Sequence, residues 1–249
     1  MEKGADAYNP YRLSHEIVSP MFSRLSYSLR RYYVDEFHER NIRMFPKSAN
    51  VLDIGGKKVK KRGQFNIENH LVKVKYANID PNTNPDYLCD GSNIPVKNNS
   101  FDVIICSELL EHVREPSLIL KEAYRILKPG AVLLICVPFL FRIHSDPYDY
   151  GRYTDYYWRT VLKEIGFARI TIEKQGLYYS VFMDMLKLYA SHKQKGKKPL
   201  PKILKWLLQR TIVFGEKKAL ELEKRENIKN DSFLNSFTTG FGIIAIKGT

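Results

Sequence analysis

Short, largely apolar runs alternate along this chain with longer stretches whose apolar residues recur every three or four positions. VLDI (51–54), FDVIIC (101–106) and AVLLICV (131–137) are runs of the first kind, rich in β-branched residues. Such runs predict strands buried on both faces. VKVKYANID (72–80) and ARITIEK (168–174) alternate apolar with polar and predict two more strands. A brief strand fits Tyr87–Cys89 with its exit at Asp90-Gly91, and a final one fits FTTGFGIIAIKG (237–248). Helical spacing marks residues 20–46, where Phe22, Leu25, Leu29 and Tyr32 or Tyr33 share a face up to Pro46. EPSLILKEAYRILKPG (115–130) reads as a helix opened by Pro116 and ended by Pro129-Gly130. TDYYWRTVLKEIGF (154–167) reads as another, with Thr154 as N-cap and Gly166 as stop. Residues 177–230 are helical in pattern and broken at KGKKPLP. PNTNPDY (81–87) excludes a helix, because its two prolines and three Asn or Asp residues break one.

Strands alternating with helices predict an α/β fold with a parallel sheet covered on both faces. Ligands of such sheets bind at the carboxyl ends of the strands. Gly55-Gly56, Asp80, Asp90 and the residues after Cys106 and Val137 all fall at such ends. The pattern divides the chain into an N-terminal helical segment (1–46), a core (47–176 and 231–249) and a helical insertion (177–230).

Composition adds one thing. The 249 residues carry a net charge of +13, and between Lys187 and Lys229 thirteen Lys and Arg face four acids, so +9 of that excess lies in the insertion. Acidic partners follow: nucleic acid, an anionic membrane face or a phosphate-bearing compound. Cys89, Cys106 and Cys136 are few, odd in number and widely spaced, which suits reduced thiols. Met-Glu-Lys-Gly-Ala-Asp leads into no apolar segment, and the longest apolar run, Ala131–Phe141, has 11 residues and contains Pro138. That is too short to cross a bilayer, so the expectation is a cytoplasmic protein, at most peripheral to a membrane.

The turn VLDIGG needs a ligand. An acid ending the second strand, Asp80, is placed to accept hydrogen bonds from ribose hydroxyls. No G-x-G-x-x-G follows β-strand one, since after Gly56 the next glycine is Gly63. That disfavours a pyrophosphate and favours a nucleoside without phosphate. Four stretches, VLDIGG, CDGSNIP, FDVIICSELLEHV and RILKPGAVLLICVP, resemble the class I S-adenosylmethionine methyltransferases, in the type 11-like branch whose fourth strand exits through LEHV. The resemblance implies a Rossmann-like, seven-stranded, mostly parallel sheet whose last strand is inserted antiparallel. It implies S-adenosyl-L-methionine as cofactor. Asp53, Gly55 and Gly56 match the glycine motif facing the methionine part, Asp80 the ribose acid, Asp90 with Gly91 the adenine contact, and Ser107 with Glu108 the rim beside the sulfonium. Lys57 and Val59 stand where the family has two further glycines, and PNTNPDY replaces a helix. The basic run Lys57–Arg62 reads equally as a solvent-facing loop, an acceptor contact or a localisation-like sequence.

Methyl transfer to a hydroxyl requires a base. Residues 138–154 carry His144, Asp146, Tyr148, Asp149, Tyr150, Arg152 and Tyr153 between a buried strand and a helix. His144 is the expected base, with Asp149 orienting it and Tyr150, Arg152 and Tyr153 holding the acceptor. The bland alternative has His144 and Arg152 only capping helices and pairing with Asp146 or Asp149. The stretch also resembles a His…Pro-x-Asp-Tyr-x-Arg-Tyr-Thr signature of methyltransferases accompanying polysaccharide and lipid-linked sugar genes, which implies a sugar, glycan or glycolipid acceptor. RNA or a small amine is the alternative acceptor, and a non-catalytic cofactor-binding protein the alternative class. No RNA-binding signature supports nucleic acid. His112 lies four residues after Glu108, which puts both on one expected helix face, and no third ligand stands near in sequence, so no metal is expected. LYYSVFMDMLKLY and LPKILKWLLQRTIVF are amphipathic and basic, which suits an anionic membrane surface, a cover over the site, or core packing alone.

Overall fold

The structure is a computed structural model that describes residues 27–59, 61, 63–144, 147–194 and 201–249. Its sheet has seven strands: β1 (Asn50–Ile54), β2 (Lys73–Asn78), β3 (Tyr87–Leu88), β4 (Phe101–Ser107), β5 (Leu127–Pro138), β6 (Phe167–Gln175) and β7 (Gly240–Lys247). They lie in the order β3-β2-β1-β4-β5-β7-β6. The first five are mutually parallel, and β7 is antiparallel to both β5 and β6. This is the Rossmann-like, mostly parallel sheet that the sequence pattern implies. The switch from β1 towards β2 on one side and β4 on the other opens a crevice at the carboxyl ends of the strands.

The apolar runs are continuous because both faces of the sheet are covered. On β4, Ile104 and Cys106 enter the layer under α2 (Pro116–Ile126) and α3 (Asp155–Ile165), with Leu120, Trp158 and Leu162. Val103 and Ile105 point the other way, onto Val34 and Phe37 of α1 (Leu29–Asn41). Side chains alternate along a strand, so a strand covered twice is apolar on both its faces along most of its length. Thr154 caps α3, and Gly166 at φ 110° ends it.

Two local expectations fail. The helix through Arg125 stops at Ile126, and Pro129-Gly130 lie inside β5 rather than at a helix end. Lys128 precedes a proline and is therefore disfavoured in helix. The strand pairing slips between Phe101 and Val103, with Leu127 and Val132 as their respective partners, so the exposed proline and glycine loop out at the rim. Glu108 and His112 do not share a helix face. Glu108 has φ 52°, which ends β4, and only Leu110–His112 make a single 3-10 turn. The N-terminal helix comprises Leu29–Asn41 followed by a 3-10 turn, Ile42–Met44; residues 20–26 lie outside the described ones.

The insertion forms α4 (Tyr178–Gln194) and α5 (Lys202–Leu222), and these pack on the start of α1 through Met183, Ala190, Ile212 and Leu29. Buried charges fix the contact. Asp184 accepts hydrogen bonds from the backbone N–H of Leu29 and Arg30, both at 2.8 Å. Lys187 donates to Glu216 at 2.7 Å and to the Tyr27 carbonyl at 2.5 Å. Glu223 accepts from Ser180 N–H at 2.7 Å and from the Tyr33 hydroxyl at 3.0 Å. Burial pushes Glu216 up to about 7 and Asp184 up to about 6, so each carboxylate depends on its partners to stay ionised.

Replacing Lys187 by Met leaves Glu216, which has a fully buried side chain, without its cation. A loss of about 3–5 kcal/mol is expected in denaturant unfolding, and the double variant Lys187→Met, Glu216→Leu should recover most of it. Equal instability of both variants would mean that the pair adds nothing beyond shape.

Candidate functional site

One cavity of about 330 Å³ opens at the carboxyl ends of β1 and β4, between the turn after β1, helix α1 and the loop after β5. Its wall brings together Asp53, Gly55, Gly56, Ser107, Glu108 and His144 of the residues expected from sequence. The turn after β1 has no room for side chains. Gly55 has φ 80°, and a Cβ on it would meet Leu109 at 2.8 Å; a Cβ on Gly56 would lie 2.2 Å from the Asp53 carboxyl. Asn78, at the end of β2, donates from Nδ2 to the Gly55 and Gly56 carbonyls, both at 3.0 Å. Burial raises the Asp53 carboxyl to about 7.

Asp80 and Asp90 stand at the ends of β2 and β3 on the open rim, outside this cavity. In each, one oxygen is held locally. Asp80 Oδ1 accepts from Asn82 N–H at 2.9 Å, and Asp90 Oδ1 accepts from Ser92 N–H at 2.8 Å. Hydrogen bonds from Asn82 and from Ser92 respectively keep both carboxyls below their ordinary range. Gly91 serves packing, because a Cβ there would press Ile54 at 2.9 Å and Ile119 at 3.2 Å.

Helix α1 supplies what the sequence reading missed. Arg30, Arg31 and His38 line the cavity. Arg30 is buried and donates to Glu108 Oε1 from Nη2 at 2.5 Å and to Gln175 Oε1 from Nη1 at 2.5 Å. Burial alone would raise Glu108, but Arg30 outweighs it and the net shift is downward, so Glu108 is a carboxylate. His38 Nε2 lies 2.6 Å from Ser107 Oγ, and its ring stacks on Phe65. Burial, helped by Arg31, pushes this imidazole down to about 3, so it is neutral. Two adjacent arginines were visible in LRRYYVDEFHERN; that they faced the rim rather than solvent was not.

The basic run after Gly56 is mostly structural. Lys58 pairs with Asp86 at 2.8 Å. Lys61 donates to the Tyr76 hydroxyl at 2.8 Å and pairs with Glu68 at 3.0 Å. Lys57 and Lys61 both reach the cavity wall, while Lys60 and Arg62 lie outside the described residues.

At the other end of the cavity stands His144. Its Nδ1 lies 3.2 Å from the Arg142 carbonyl oxygen and 3.4 Å from Asp149 Oδ2. Asp149 is clamped by Arg152 at 2.5 and 2.8 Å, which holds its carboxyl at about 2. Arg152 is therefore committed to Asp149 and does not line the cavity, contrary to the expectation that it holds the acceptor. Tyr150 uses its backbone N–H, donated to the Glu111 carbonyl at 2.8 Å, and its half-exposed ring leans on Tyr148. Tyr153 stacks on Tyr157 at 4.3 Å and meets Trp158 edge-on, a core position. Arg142 and Phe141 line the cavity in their place. Asp146 lies outside the described residues.

The sequence-based ground for excluding a metal, the lack of a third ligand, does not hold in space. Ligand atoms of Glu111, His112 and His144 all lie within 4.8 Å of one another. Both oxygens of the buried Glu111 lack a hydrogen-bond partner, and burial raises that carboxyl to about 8.

Residues 48–135 match the family described as the methyltransferase domain. A likeness of 17% identity and TM-score 0.51 to a S-adenosylmethionine-dependent methyltransferase from Archaeoglobus fulgidus covers 96% of this chain and 100% of that one. Residues 48–135 are a methyltransferase domain. The chain is also similar to a ubiquinone biosynthesis O-methyltransferase of Psychrobacter cryohalolentis, at 24% identity over 55% of this chain and 57% of that protein. It is similar to a demethylmenaquinone methyltransferase of Geobacillus stearothermophilus, at 31% identity over 43% of this chain and 39% of that protein. The chain thus spans less than two thirds of the length of either relative. The methyltransferase domain contains the glycine turn, both rim aspartates and Ser107-Glu108; helix α1 and the loop bearing His144 lie outside it.

Glu111 gives a pH test. In the fold it keeps its proton up to about pH 8, whereas an unfolded glutamate loses it near about 4.3. Between these values the folded state binds more protons, so stability falls as pH rises. Melting temperatures of Glu111→Gln and the parent should therefore diverge in favour of the variant from about pH 5 to about pH 8. Parallel curves would show that Glu111 ionises as an ordinary glutamate.

Proposed function

We propose that this chain transfers a methyl group from S-adenosylmethionine to a hydroxyl of its acceptor, with His144 as general base. The observation that supports this best is that one cavity runs from Gly55-Gly56 to His144. The residues fit the cofactor: Gly55 and Gly56 turn bare backbone to the cavity, and Asp80 and Asp90 each keep one carboxylate oxygen for an adenosine. S-adenosylmethionine held there supplies a methyl group on a sulfonium, ready for displacement.

The protein's own part is to orient the acceptor and take its proton. Burial lowers the His144 imidazole below its ordinary value, so the ring is neutral near pH 7. A proton on Nδ1 satisfies the Arg142 carbonyl and Asp149, which leaves the Nε2 lone pair, 4.0 Å from Glu111 Oε1, to take the proton of the acceptor hydroxyl. Arg152 locks Asp149, and Asp149 accepts the His144 backbone N–H at 2.8 Å, so the ring is held from two sides. Arg142 and Arg31 make the cavity wall cationic and suit an acceptor with anionic or strongly polar groups.

For the acceptor we infer a saccharide hydroxyl, supported by the His144…Asp149-Tyr150-x-Arg152 signature. A phenolic or quinol hydroxyl is the second reading, supported by the relatives named for ubiquinone and menaquinone biosynthesis.

Calorimetry with S-adenosylmethionine and S-adenosylhomocysteine should give micromolar or tighter binding. Asn78→Ala, which frees the turn carbonyls, should weaken it by about tenfold, as loss of two partly buried hydrogen bonds implies. No binding by the parent removes the cofactor reading. With labelled cofactor, hexose, glycolipid and phenol acceptors identify the class. His144→Ala should lower kcat by about 10²–10⁴ and abolish the rise of rate with pH below about 6.5. An unchanged profile would take the base role from His144.

A further inference from the structure

The insertion sorts its charges. From Tyr178 to Leu220 the sequence holds only two acids, Asp184 and Glu216, against ten lysines and arginines. Both acids are turned inward: Asp184 is 3% exposed and holds the start of α1, and Glu216 is 0% exposed and pairs with Lys187. Between Lys202 and Phe214 three cations stand with no acid. The face left to solvent is apolar and cationic at once. Phe182 and Met185 on α4, and Ile203, Trp206, Leu207 and Phe214 on α5, are each between 48 and 71% exposed.

The spacing is regular. Ile203, Trp206, Arg210 and Phe214 follow one another at three or four residues, so they form one stripe of α5. The opposite side of the same helix buries Ile212, Glu216 and Ala219. Arg210 lies over the Trp206 ring, 4.8 Å from its centroid, which places a cation beside the exposed aromatic. Exposed aromatics and long aliphatics in one patch are costly in water unless something covers them. No helix among the described residues is long and apolar enough to cross a membrane. From Lys202 to Phe214, α5 has one apolar stripe, flanking cations and no acid, its exposed Glu221 standing in the last turn beside Lys218, which is the pattern of a helix lying flat in a lipid interface.

We infer that the outer face of α4 and α5 docks on an anionic lipid bilayer, with Trp206 and its neighbours entering the headgroup region and Lys202 and Arg210 meeting lipid phosphates. Charge selects the occupant. A second copy of this chain would bring its own cations against these, whereas an anionic bilayer neutralises them. Asp184 joins this face to the catalytic cavity, since it holds the N-terminus of the helix that carries Arg30 and Arg31.

Full-length protein with vesicles of phosphatidylcholine, or of phosphatidylcholine with phosphatidylglycerol, provides the test. Sedimentation with the anionic vesicles only, falling as salt rises, is the expected result. Trp158 is 1% exposed and Trp206 is 51% exposed, so a blue shift on binding reports Trp206. Lys202→Glu, Arg210→Glu should weaken binding by more than roughly fivefold per site at low salt. Ile203→Ser, Phe214→Ser should abolish the blue shift while leaving the melting temperature in place, since both side chains face solvent. Equal binding to neutral vesicles, no binding at low salt, or a dimer by sedimentation that Phe214→Ser turns into a monomer would each overturn the inference. Cofactor binding by calorimetry is independent of all these outcomes, so a failed docking surface leaves the proposed activity standing.

Discussion

The buried ion pair between Arg30 and Glu108 is the contact on which the site depends. Glu108 leaves β4 with φ 52°, a backbone state that costs a non-glycine residue on the order of 1 kcal/mol. Arg30 holds it there, and Gln175 at the end of β6 completes the guanidinium's hydrogen bonds. Gly240 makes room, since a Cβ at that position would lie 2.3 Å from Arg30 Nη1. Three strand ends and α1 thus meet on one cation. A buried pair of this kind is a doubtful source of net stability. Its effect is positional: it fixes the wall between the glycine turn and His144.

The same cation connects the insertion to the chemistry. Asp184 of α4 caps the backbone at Leu29 and Arg30, and Lys187 with Glu216 fastens α4 to α5. Helix α1 therefore has no independent seat. Its start is set by the insertion, its middle by Val34 and Phe37 on the sheet, and its inner face by the cavity.

At the far end, the loop after β5 has a different logic. His144, Asp149 and Arg152 are close in sequence and make a local clamp, so their proximity was legible from spacing. What spacing could not say is which of them face the cavity. Arg152 turned out to be used up by Asp149, and Tyr153 by the aromatic stack with Tyr157 and Trp158. Arg142, which drew no notice in the sequence, took the place at the wall. Glu111, His112 and His144 likewise converge only once the β4 and β5 exits lie side by side, as parallel neighbours must.

The sequence by itself determined the strands, the covered sheet and the glycine turn, because these rest on period and on residues with restricted backbone. A strand buried twice has to be apolar over most of its length, and a turn without room for Cβ has to be glycine. Tertiary structure alone decided the helix α1 wall, the direction of each polar side chain in the loop after β5, and the inward turn of Asp184 and Glu216. Those outcomes depend on which distant groups satisfy a buried charge, and residues 78 or 145 positions apart, as Arg30 is from Glu108 and Gln175, leave no periodic trace of that choice along the chain.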